Sequence, residues 1–162
     1  ELQKRIQQEI DALPPNPGPE DLRQLEETRH LMQETLRMYP PLWALAREAT
    51  QDTTVNGIDV PKGTPVFLSL LEGNRDPANW GATGHDPQEF HPERFRDKTP
   101  RLQTFGGGAH MCPGKELATT ENFLMLTKVL SRFEVRAEGP LKFWSGATLY
   151  PLNPAVEFTP RP

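Results

Sequence analysis

Proline is the feature that most restricts how this sequence can fold, because 18 of its 162 residues are proline. Proline has no backbone N–H and interrupts the interior of helices and of central strands. A simple helical bundle is therefore not expected, and the sequence predicts short elements joined by long, ordered, irregular connections. The length is sufficient for one modest domain with its own hydrophobic core.

Charge and cysteine content narrow the class of protein. The formal net charge is −4 with no basic excess, so we expect no binding to nucleic acid. The single cysteine excludes an internal disulfide and leaves the redox compartment open. We find no signal-peptide pattern and no apolar run long enough to cross a bilayer. Localisation stays open between cytoplasmic and membrane-associated, since an anchor could precede these residues.

Apolar periodicity predicts helices in the first quarter of the chain. A first helix, predicted to end at Pro14–Pro15, has Leu2, Ile6, Ile10 and Leu13 on one face. No capping residue precedes it, so we expect the chain to be a piece of something larger or to need a partner. Proline and acidic residues at 19–21 predict a second helical region, formed by one helix or two. Its predicted buried face consists of Leu22, Leu25, Leu31, Thr35 and Met38.

The remainder predicts short strands, turns and one long helix, which gives an α+β fold that is mainly helical. Strands are predicted over residues 43–47, 53–55, 58–60 and 65–71, with tight turns at Asn56–Gly57 and at 61–63. A short helix over 77–80 precedes a long loop over 81–104, and such loops are usually functional or held by specific contacts. A helix over 116–130 offers Leu117, Phe123, Leu124, Leu126 and Leu130 for burial, and strands follow near 132–137, 142–148 and 155–159.

The only cysteine, Cys112, lies in a glycine-rich loop over residues 105–114. Glycine has no Cβ, so this backbone can lie flat against a large planar partner and point its amide hydrogens inward. Such amides, together with the start of the following helix, would stabilise a thiolate. A buried structural cysteine beside a flexible turn explains the same residues, and this segment alone does not separate the two interpretations.

Two charged segments suggest a link between the second helical region and the long loop. Glu34 and Arg37 are three residues apart and face each other on a helix, which by itself indicates only a solvated pair. Arg94 belongs to a Pro-Glu-Arg-Phe segment that by itself indicates only a polar turn. Together, Glu34, Arg37 and Arg94 would form a partly buried network that ties the loop to the helix.

The order of these motifs is more specific than any one of them. Glu-x-x-Arg, Pro-Glu-Arg-Phe and Phe-x-x-Gly-x-x-x-Cys-x-Gly follow one another along the chain. This arrangement resembles the C-terminal part of a cytochrome P450, a haem-thiolate monooxygenase, over essentially the whole chain. The resemblance implies helices like J, K and L of that family, small β-sheets and a long meander loop. It also implies that residues 1–162 are a single haem-binding portion, with the N-terminal portion and the distal helix outside this chain.

The resemblance further implies the residues that hold the cofactor, haem b (iron protoporphyrin IX). It makes Cys112 the axial ligand of the haem iron, with Phe105 packed near the ligand loop. By the same resemblance, Gly108 and Gly114 would let the backbone approach the sulfur and would donate amide hydrogen bonds to it.

The resemblance also implies contacts to the haem propionates and a structural network. His110 and Arg47 would contact the propionates, the alternative for Arg47 being a charge at a strand edge. Glu34, Arg37 and Arg94 resemble a structural triad that locks the loop and helps haem uptake without taking part in chemistry. We expect the remaining histidines, which have no ligand role, to be surface or loop residues: His30, His85 and His91.

The implied activity is dioxygen activation and oxidation of a small hydrophobic substrate, with residues 42–46 and 144–149 near that substrate. Electrons would come from a ferredoxin, flavodoxin or reductase, and Lys98, Arg101 and Lys115 offer a positive patch, although solvated charges explain them equally well. A complementary N-terminal chain or fragment of the same enzyme would complete the site. The alternatives are a peroxide-using or isomerising haem-thiolate enzyme and a non-catalytic haem-binding fragment.

Overall fold

The computed structural model describes residues 1–96, 102–152 and 154–162. Groups of helices and groups of short antiparallel strands follow one another along it, which confirms the predicted α+β class. The helices are α1 (Leu2–Asp11), α2 (Pro19–Leu22), α3 (Glu26–Met38), α4 (Leu70–Gly73), α5 (Pro77–Trp80) and α6 (Lys115–Arg132). The strands are β1 (Ala44–Glu48), β2 (Thr53–Val55), β3 (Ile58–Val60), β4 (Pro65–Ser69), β5 (Phe133–Glu138), β6 (Phe143–Ser145), β7 (Leu149–Pro151) and β8 (Ala155–Pro160). Short 3-10 turns occupy Gly81–Thr83, Pro92–Arg96 and Gly108–His110.

The apolar core lies where α1, α3 and α6 meet. Its fully packed side chains are Ile6, Ile10, Leu25 and Leu130. Gln7 is buried in the same place, and its amide donates hydrogen bonds to the carbonyls of Leu130 at 3.4 Å and Phe133 at 3.1 Å. These carbonyls lie at the C-terminal end of α6, where the last carbonyl groups of a helix have no N–H partner within the helix. Helix α1 therefore stabilises the junction between α6 and β5.

Helix α3 receives its N-terminal cap from another helix. Both carboxylate oxygens of Glu9 accept hydrogen bonds from the backbone N–H of Glu27, at 2.9 and 3.1 Å, and one also accepts from Thr28 at 3.3 Å. The residue before the helix is Leu25, which has no side-chain acceptor. A carboxylate at a helix N-terminus satisfies free N–H groups and complements the helix dipole. Glu9 thus ties α1 to α3 by charge as well as by packing.

The strands pair as four two-stranded antiparallel ladders within the described residues. β1 pairs with β4 from Ala44 opposite Ser69 to Glu48 opposite Pro65. β5 pairs with β8, and β6 pairs with β7 across a short turn. β2 and β3 form a hairpin through Asn56 and Gly57, both at positive φ, as the Asn-Gly signal predicts.

Several element boundaries differ from the sequence prediction. Helix α1 ends at Asp11, before Pro14–Pro15, and the second helical region is divided into α2 and α3. The strand predicted over 65–71 stops at Ser69, because its hydroxyl accepts from the backbone N–H of Glu72 and begins α4. The strand predicted over 142–148 is instead part of a hairpin, since the chain reverses between β6 and β7.

Some predicted core positions are exposed. Thr35 lies on the solvent side of α3, and its hydroxyl returns to the Leu31 carbonyl at 2.8 Å. On α6, Leu117 is 65% exposed and Leu124 is 45% exposed, because α1 and α3 cover only the face that carries Leu130. Within the described residues, no helix is long and apolar enough to cross a membrane.

Candidate functional site

Two charged side chains of α3, Glu34 and Arg37, meet a third, Arg94, that is distant in sequence. The Glu34 carboxylate accepts from Arg37 through Nε at 2.7 Å and Nη2 at 2.8 Å, and from Arg94 Nε at 3.1 Å. The backbone N–H of His91 adds a fourth hydrogen bond at 2.7 Å. None of the three charged side chains is exposed to solvent. One carboxylate therefore serves two buried guanidinium groups.

Backbone carbonyls and one hydroxyl accept hydrogen bonds from the remaining donors of both guanidinium groups. Arg37 donates to the carbonyls of Asn74 at 2.7 Å, Pro87 at 2.8 Å and Glu89 at 3.0 Å. Its charged group also lies 5.3 Å from the centre of the Trp80 ring. The donors of Arg94 end on the Thr83 hydroxyl and on loop carbonyls, chiefly those of Asp86 and Glu89. A buried ionic network stabilises one geometry when its donors and acceptors are matched. This network fixes residues 81–94, the described first part of the long loop that we call the meander loop, against α3.

A chain of hydrogen bonds leads from this network to the start of the cysteine loop. The carbonyl of the buried residue Asn74 accepts from Arg37, and the Asn74 amide donates to the Thr104 hydroxyl at 3.4 Å. The Thr104 hydroxyl in turn donates to the Leu36 carbonyl on α3 at 2.9 Å. Thr104, which precedes Phe105, is thereby held to α3, the helix that also carries Glu34 and Arg37.

The cysteine loop closes on itself. The backbone N–H of Cys112 donates to the Phe105 carbonyl at 2.9 Å, and that of Gly106 donates to the Gln103 carbonyl at 2.8 Å. Phe105 is half-buried, whereas Cys112 is exposed and carries a free thiol. Helix α6 begins at Lys115, so the sulfur lies one short turn before a helix N-terminus. The interpretation of Cys112 as a buried structural cysteine is therefore wrong.

Glycine is required at specific positions in this loop. Gly106 has φ +72° and Gly108 has φ +62°, a region that residues with a Cβ rarely adopt. A Cβ on Gly106 would also lie 3.4 Å from the His110 carbonyl oxygen. A Cβ on Gly114 would lie 3.9 Å from the Cys112 sulfur, in van der Waals contact with it. Gly106 has no individual role in the sequence prediction, although its place in a run of three glycines is a visible signal.

Arg47 lies beside the same loop. It is half-buried on β1 and lines a cavity of about 480 Å³ together with Leu45, Gly106 and Gly107. Within the described residues it forms no ion pair, and its guanidinium donates to the adjacent Ala46 carbonyl at 2.8 Å. Its charge is therefore available to an anionic group. His110 is exposed, and no hydrogen bond or ion pair joins its side chain to Arg47 in the part of the chain that the structure describes.

These residues fit a haem. A haem held by a thiolate takes a single sulfur ligand from the protein, and Cys112 is exposed in a loop whose glycines present bare backbone. The described residues contain no group of three His, Cys, Asp or Glu side chains that could hold a separate metal ion. Arg47 supplies a cation that suits a carboxylate of the cofactor.

Other predicted residues have different outcomes. The patch of Lys98, Arg101 and Lys115 is not established, because the first two lie outside the described residues and Lys115 is 3.6 Å from Glu116. His85 and His91 lie in the meander loop, as predicted, and their rings stack with centres 4.9 Å apart.

The prediction that His30 is a surface or loop residue is wrong. It lies inside α3, is 7% exposed and has no partner for Nδ1 among the described residues. Burial lowers the pKa of its imidazole, and this outweighs the opposing effect of Glu27 and Glu26. The cause of its burial is that α3 is enclosed by α1, α6 and the Pro92–Arg96 turn.

A second ionic cluster joins α1, α3 and the meander loop. Arg5 pairs with Glu27 at 3.1 Å and also contacts Glu93, while Arg96 contacts Glu27 from the loop side. Burial raises the pKa values of the Glu27 and Glu93 carboxyl groups, but hydrogen bonds and ion pairs leave both below the usual 4.5. The cluster anchors the same loop segment as the buried network, at a more exposed position.

The sequence profile of the family described as Cytochrome P450 matches residues 1–145. This chain therefore belongs to the cytochrome P450 family. That result confirms the resemblance drawn from the motif order, and the family is one of haem-dependent oxidoreductases.

Similar curated proteins come from animals, plants and bacteria. Mouse (Mus musculus) cytochrome P450 3A13 is 36% identical over 169 residues, which span 96% of this chain and 33% of the relative. Cytochrome P450 714C2 of Oryza sativa subsp. japonica is 38% identical over 71% of this chain and 23% of the relative. The cyclooctat-9-en-7-ol 5-monooxygenase of Streptomyces melanosporofaciens is 35% identical over 84% of this chain and 30% of the relative. The chain thus spans about a third or less of the length of these relatives.

Proposed function

We propose that residues 1–162 form the haem-binding C-terminal portion of a cytochrome P450 monooxygenase, with Cys112 as the axial ligand of haem b. The observation that carries this proposal is the exposed Cys112 thiol in a closed glycine loop, within a chain of this family. When bound, a haem iron with a thiolate ligand supplies dioxygen activation, because the thiolate pushes electron density that favours O–O cleavage.

The residues around the sulfur have separate tasks in this proposal. Gly108 and Gly114 let the backbone approach the sulfur, and the α6 N-terminus helps to stabilise its negative charge. Phe105 positions the loop, because its carbonyl accepts from the N–H of Cys112. Arg47 and His110 bind the haem propionates; for Arg47 the supporting observation is a guanidinium that forms no ion pair among the described residues.

The triad of Glu34, Arg37 and Arg94 has a structural role. Within the described residues it makes no hydrogen bond to Cys112, and it reaches the lining of the Arg47 cavity only through Asn74, whose carbonyl accepts from Arg37 and whose amide donates to Thr104 at the start of the cysteine loop. Its loss is expected to reduce haem retention and folding, while the chemistry of the bound haem is retained.

A complementary N-terminal part of the same enzyme, in one polypeptide or as a second chain, supplies the distal half of the site. The exposed Leu117 and Leu124 on α6 support this, since apolar side chains on one helix face indicate a covering partner. We further propose a small hydrophobic substrate, in keeping with the exposed apolar residues at 42–43 and 144. A ferredoxin, flavodoxin or reductase would supply the electrons.

An isotope experiment distinguishes this function from its alternatives. The complete haem-loaded enzyme is given an electron donor, a panel of apolar substrates and ¹⁸O₂, and the products are analysed by mass. One ¹⁸O atom in the product supports the monooxygenase. Turnover that needs only peroxide, or a product without added oxygen, would instead indicate the peroxide-using or isomerising enzyme. Haem binding without any turnover would favour the non-catalytic module.

A further inference from the structure

Helix α3 ends in a way that leaves one of its last carbonyl groups without a helical partner. The Thr35 carbonyl accepts from the backbone N–H of Tyr39 at 2.8 Å. The next carbonyl, that of Leu36, would accept from residue 40, but this residue is Pro40, which has no N–H. Pro40 is fully buried, and a carbonyl left unpaired in a buried place costs free energy. Another donor is therefore needed for the Leu36 carbonyl.

The Thr104 hydroxyl supplies this donor. Its Oγ1 atom lies 2.9 Å from the Leu36 carbonyl oxygen, and Thr104 is 7% exposed. The side-chain amide of Asn74 donates to the same hydroxyl oxygen at 3.4 Å, which leaves the hydroxyl hydrogen for the Leu36 carbonyl. One side-chain oxygen thus binds the start of the cysteine loop to the C-terminal end of α3.

Thr104 is directly followed by the residue that closes the cysteine loop. The Phe105 carbonyl accepts from the backbone N–H of Cys112 at 2.9 Å. Residues 102–107 belong to no helix or strand, so specific contacts determine where this segment lies. Among the described residues, the only side-chain hydrogen bonds of the segment are the two at Thr104.

We propose that Thr104 is a positioning residue for the thiolate ligand, because its hydroxyl holds the start of the cysteine loop to α3. This role rests on the proposed function, in which Cys112 ligates the iron. It is separate from the role of the triad, since the bond to Leu36 satisfies a carbonyl that Pro40 leaves free. Without the hydroxyl, the Phe105 carbonyl is held less firmly, and the Cys112 sulfur leaves the iron more often.

The rate at which the thiolate ligand is lost tests this role. The complete haem-loaded enzyme is reduced under carbon monoxide, in urea below the unfolding transition of every variant, and the decay of the red-shifted Soret band is followed. Thr104→Val keeps the shape of the side chain and removes the hydroxyl. We expect its decay to be about 3- to 10-fold faster than that of the wild type, the range for one hydrogen bond. Thr104→Ser keeps the hydroxyl and should decay near the wild-type rate.

The matched control is Thr127→Val, which makes the same chemical change at a similarly buried position. The Thr127 hydroxyl donates to the Phe123 carbonyl at 2.8 Å within α6, and Thr127 is 9% exposed. Its loss removes a comparable hydrogen bond that has no link to the start of the cysteine loop. The red-shifted band of Thr127→Val should therefore decay near the wild-type rate.

Asn74→Leu approaches the same contact from the other side and keeps the proposal testable if Thr104→Val folds poorly. The backbone carbonyl that serves Arg37 is kept, and the amide donor to Thr104 is removed, so we expect a smaller increase in the decay rate. Hydrogen–deuterium exchange over residues 103–112 reports the loop itself. It should increase in Thr104→Val and Asn74→Leu, and it should not increase in Thr104→Ser or Thr127→Val.

Two results would overturn the proposal. One is equal decay and equal exchange in Thr104→Val and Thr127→Val, because the loss would then be a general effect of removing a buried hydroxyl. The other is a loss that is as large in Thr104→Ser as in Thr104→Val, because the hydroxyl would then not be responsible. A wild-type enzyme that never shows a red-shifted band would contradict the proposed function instead, while the exchange result would still decide whether Thr104 holds the loop.

Discussion

Nε of Arg94 lies 3.1 Å from Oε1 of Glu34, although 60 residues separate them in the sequence. Both side chains are fully buried. The irregular part of the loop before Arg94, residues 81–94, is therefore held against α3 by charge and hydrogen bonding. Glu34 is also linked through Arg37 and Asn74 to Thr104, which stands at the start of the cysteine loop.

Glu34→Gln is expected to destabilise the haem-loaded enzyme by about 3–5 kcal/mol, because it leaves two buried guanidinium groups without their counter-charge. Urea unfolding followed by haem absorbance measures the change. The matched control is Glu20→Gln, which removes an exposed pair with Arg23 and should leave the unfolding midpoint where it was. Equal midpoints for all three proteins would contradict a structural role for the triad.

Arg47→Leu is expected to increase the rate of haem loss by about 10- to 100-fold, which is the effect of losing one charged hydrogen bond. Arg47→Lys should lie between the variant and the wild type, because lysine keeps the charge without the planar fork. Haem transfer to excess apomyoglobin gives the rates. Arg136→Leu, at an exposed position on β5, serves as the control. Wild-type rates of haem loss in both Arg47 variants would show that Arg47 is only a charge at the strand edge and does not bind a propionate.

Gly106→Ala should lower the free energy of unfolding by about 1–2 kcal/mol, because alanine is strained at φ +72°. Gly73→Ala provides the comparison, since Gly73 ends α4 with open space around it and no positive φ. That change should be neutral or slightly stabilising. Denaturant titration of the two variants separates loop strain from a general cost of adding a methyl group. Equal unfolding energies for the two variants would show that the loop does not require glycine at 106.

Stability is expected to fall as the pH is lowered below 6.5, in part because of His30. Burial holds the pKa of the folded imidazole below the usual value of 6.5. As the pH falls, the unfolded chain therefore binds a proton first, and the folded state loses stability until the pH has passed the folded pKa. His30→Met should flatten this dependence. Urea unfolding at pH 7.5 and 5.5 is suitable, because the Glu27 and Glu93 carboxyl groups titrate below 4.5. Leu31→Met, a neighbour on α3, should keep the wild-type slope, and an unchanged slope in His30→Met would refute the assignment.

Local signals made most elements predictable. The Asn56–Gly57 hairpin, the Pro77–Trp80 helix and the helix after Cys112 each depend on a few neighbouring residues, and each is found as predicted or within a few residues of it. The order of the motifs also identified the family. The motif residues Glu34, Arg37 and Arg94 do meet in space, although their role in haem uptake stays a prediction.

Features that depend on packing between distant segments were not predictable. Glu9 caps a helix that begins 17 residues later, and nothing in its own surroundings indicates an acceptor role. His30 is buried only because three other elements enclose α3. The hydrogen bond from the Trp43 indole to the Gly146 carbonyl joins residues 103 positions apart. In each case the partner is determined by the tertiary fold, which periodicity and turn residues do not specify.

The most direct test of iron ligation by Cys112 is the optical spectrum of the reduced enzyme under carbon monoxide, compared between wild type, Cys112→His and Met111→Leu. Ligation by Cys112 predicts a strongly red-shifted Soret band for the wild type and for Met111→Leu, because both keep the thiolate. Cys112→His should bind haem without that shift. A red-shifted band that persists in Cys112→His, or a haem-loaded wild type that never shows one, would contradict ligation of the iron by Cys112.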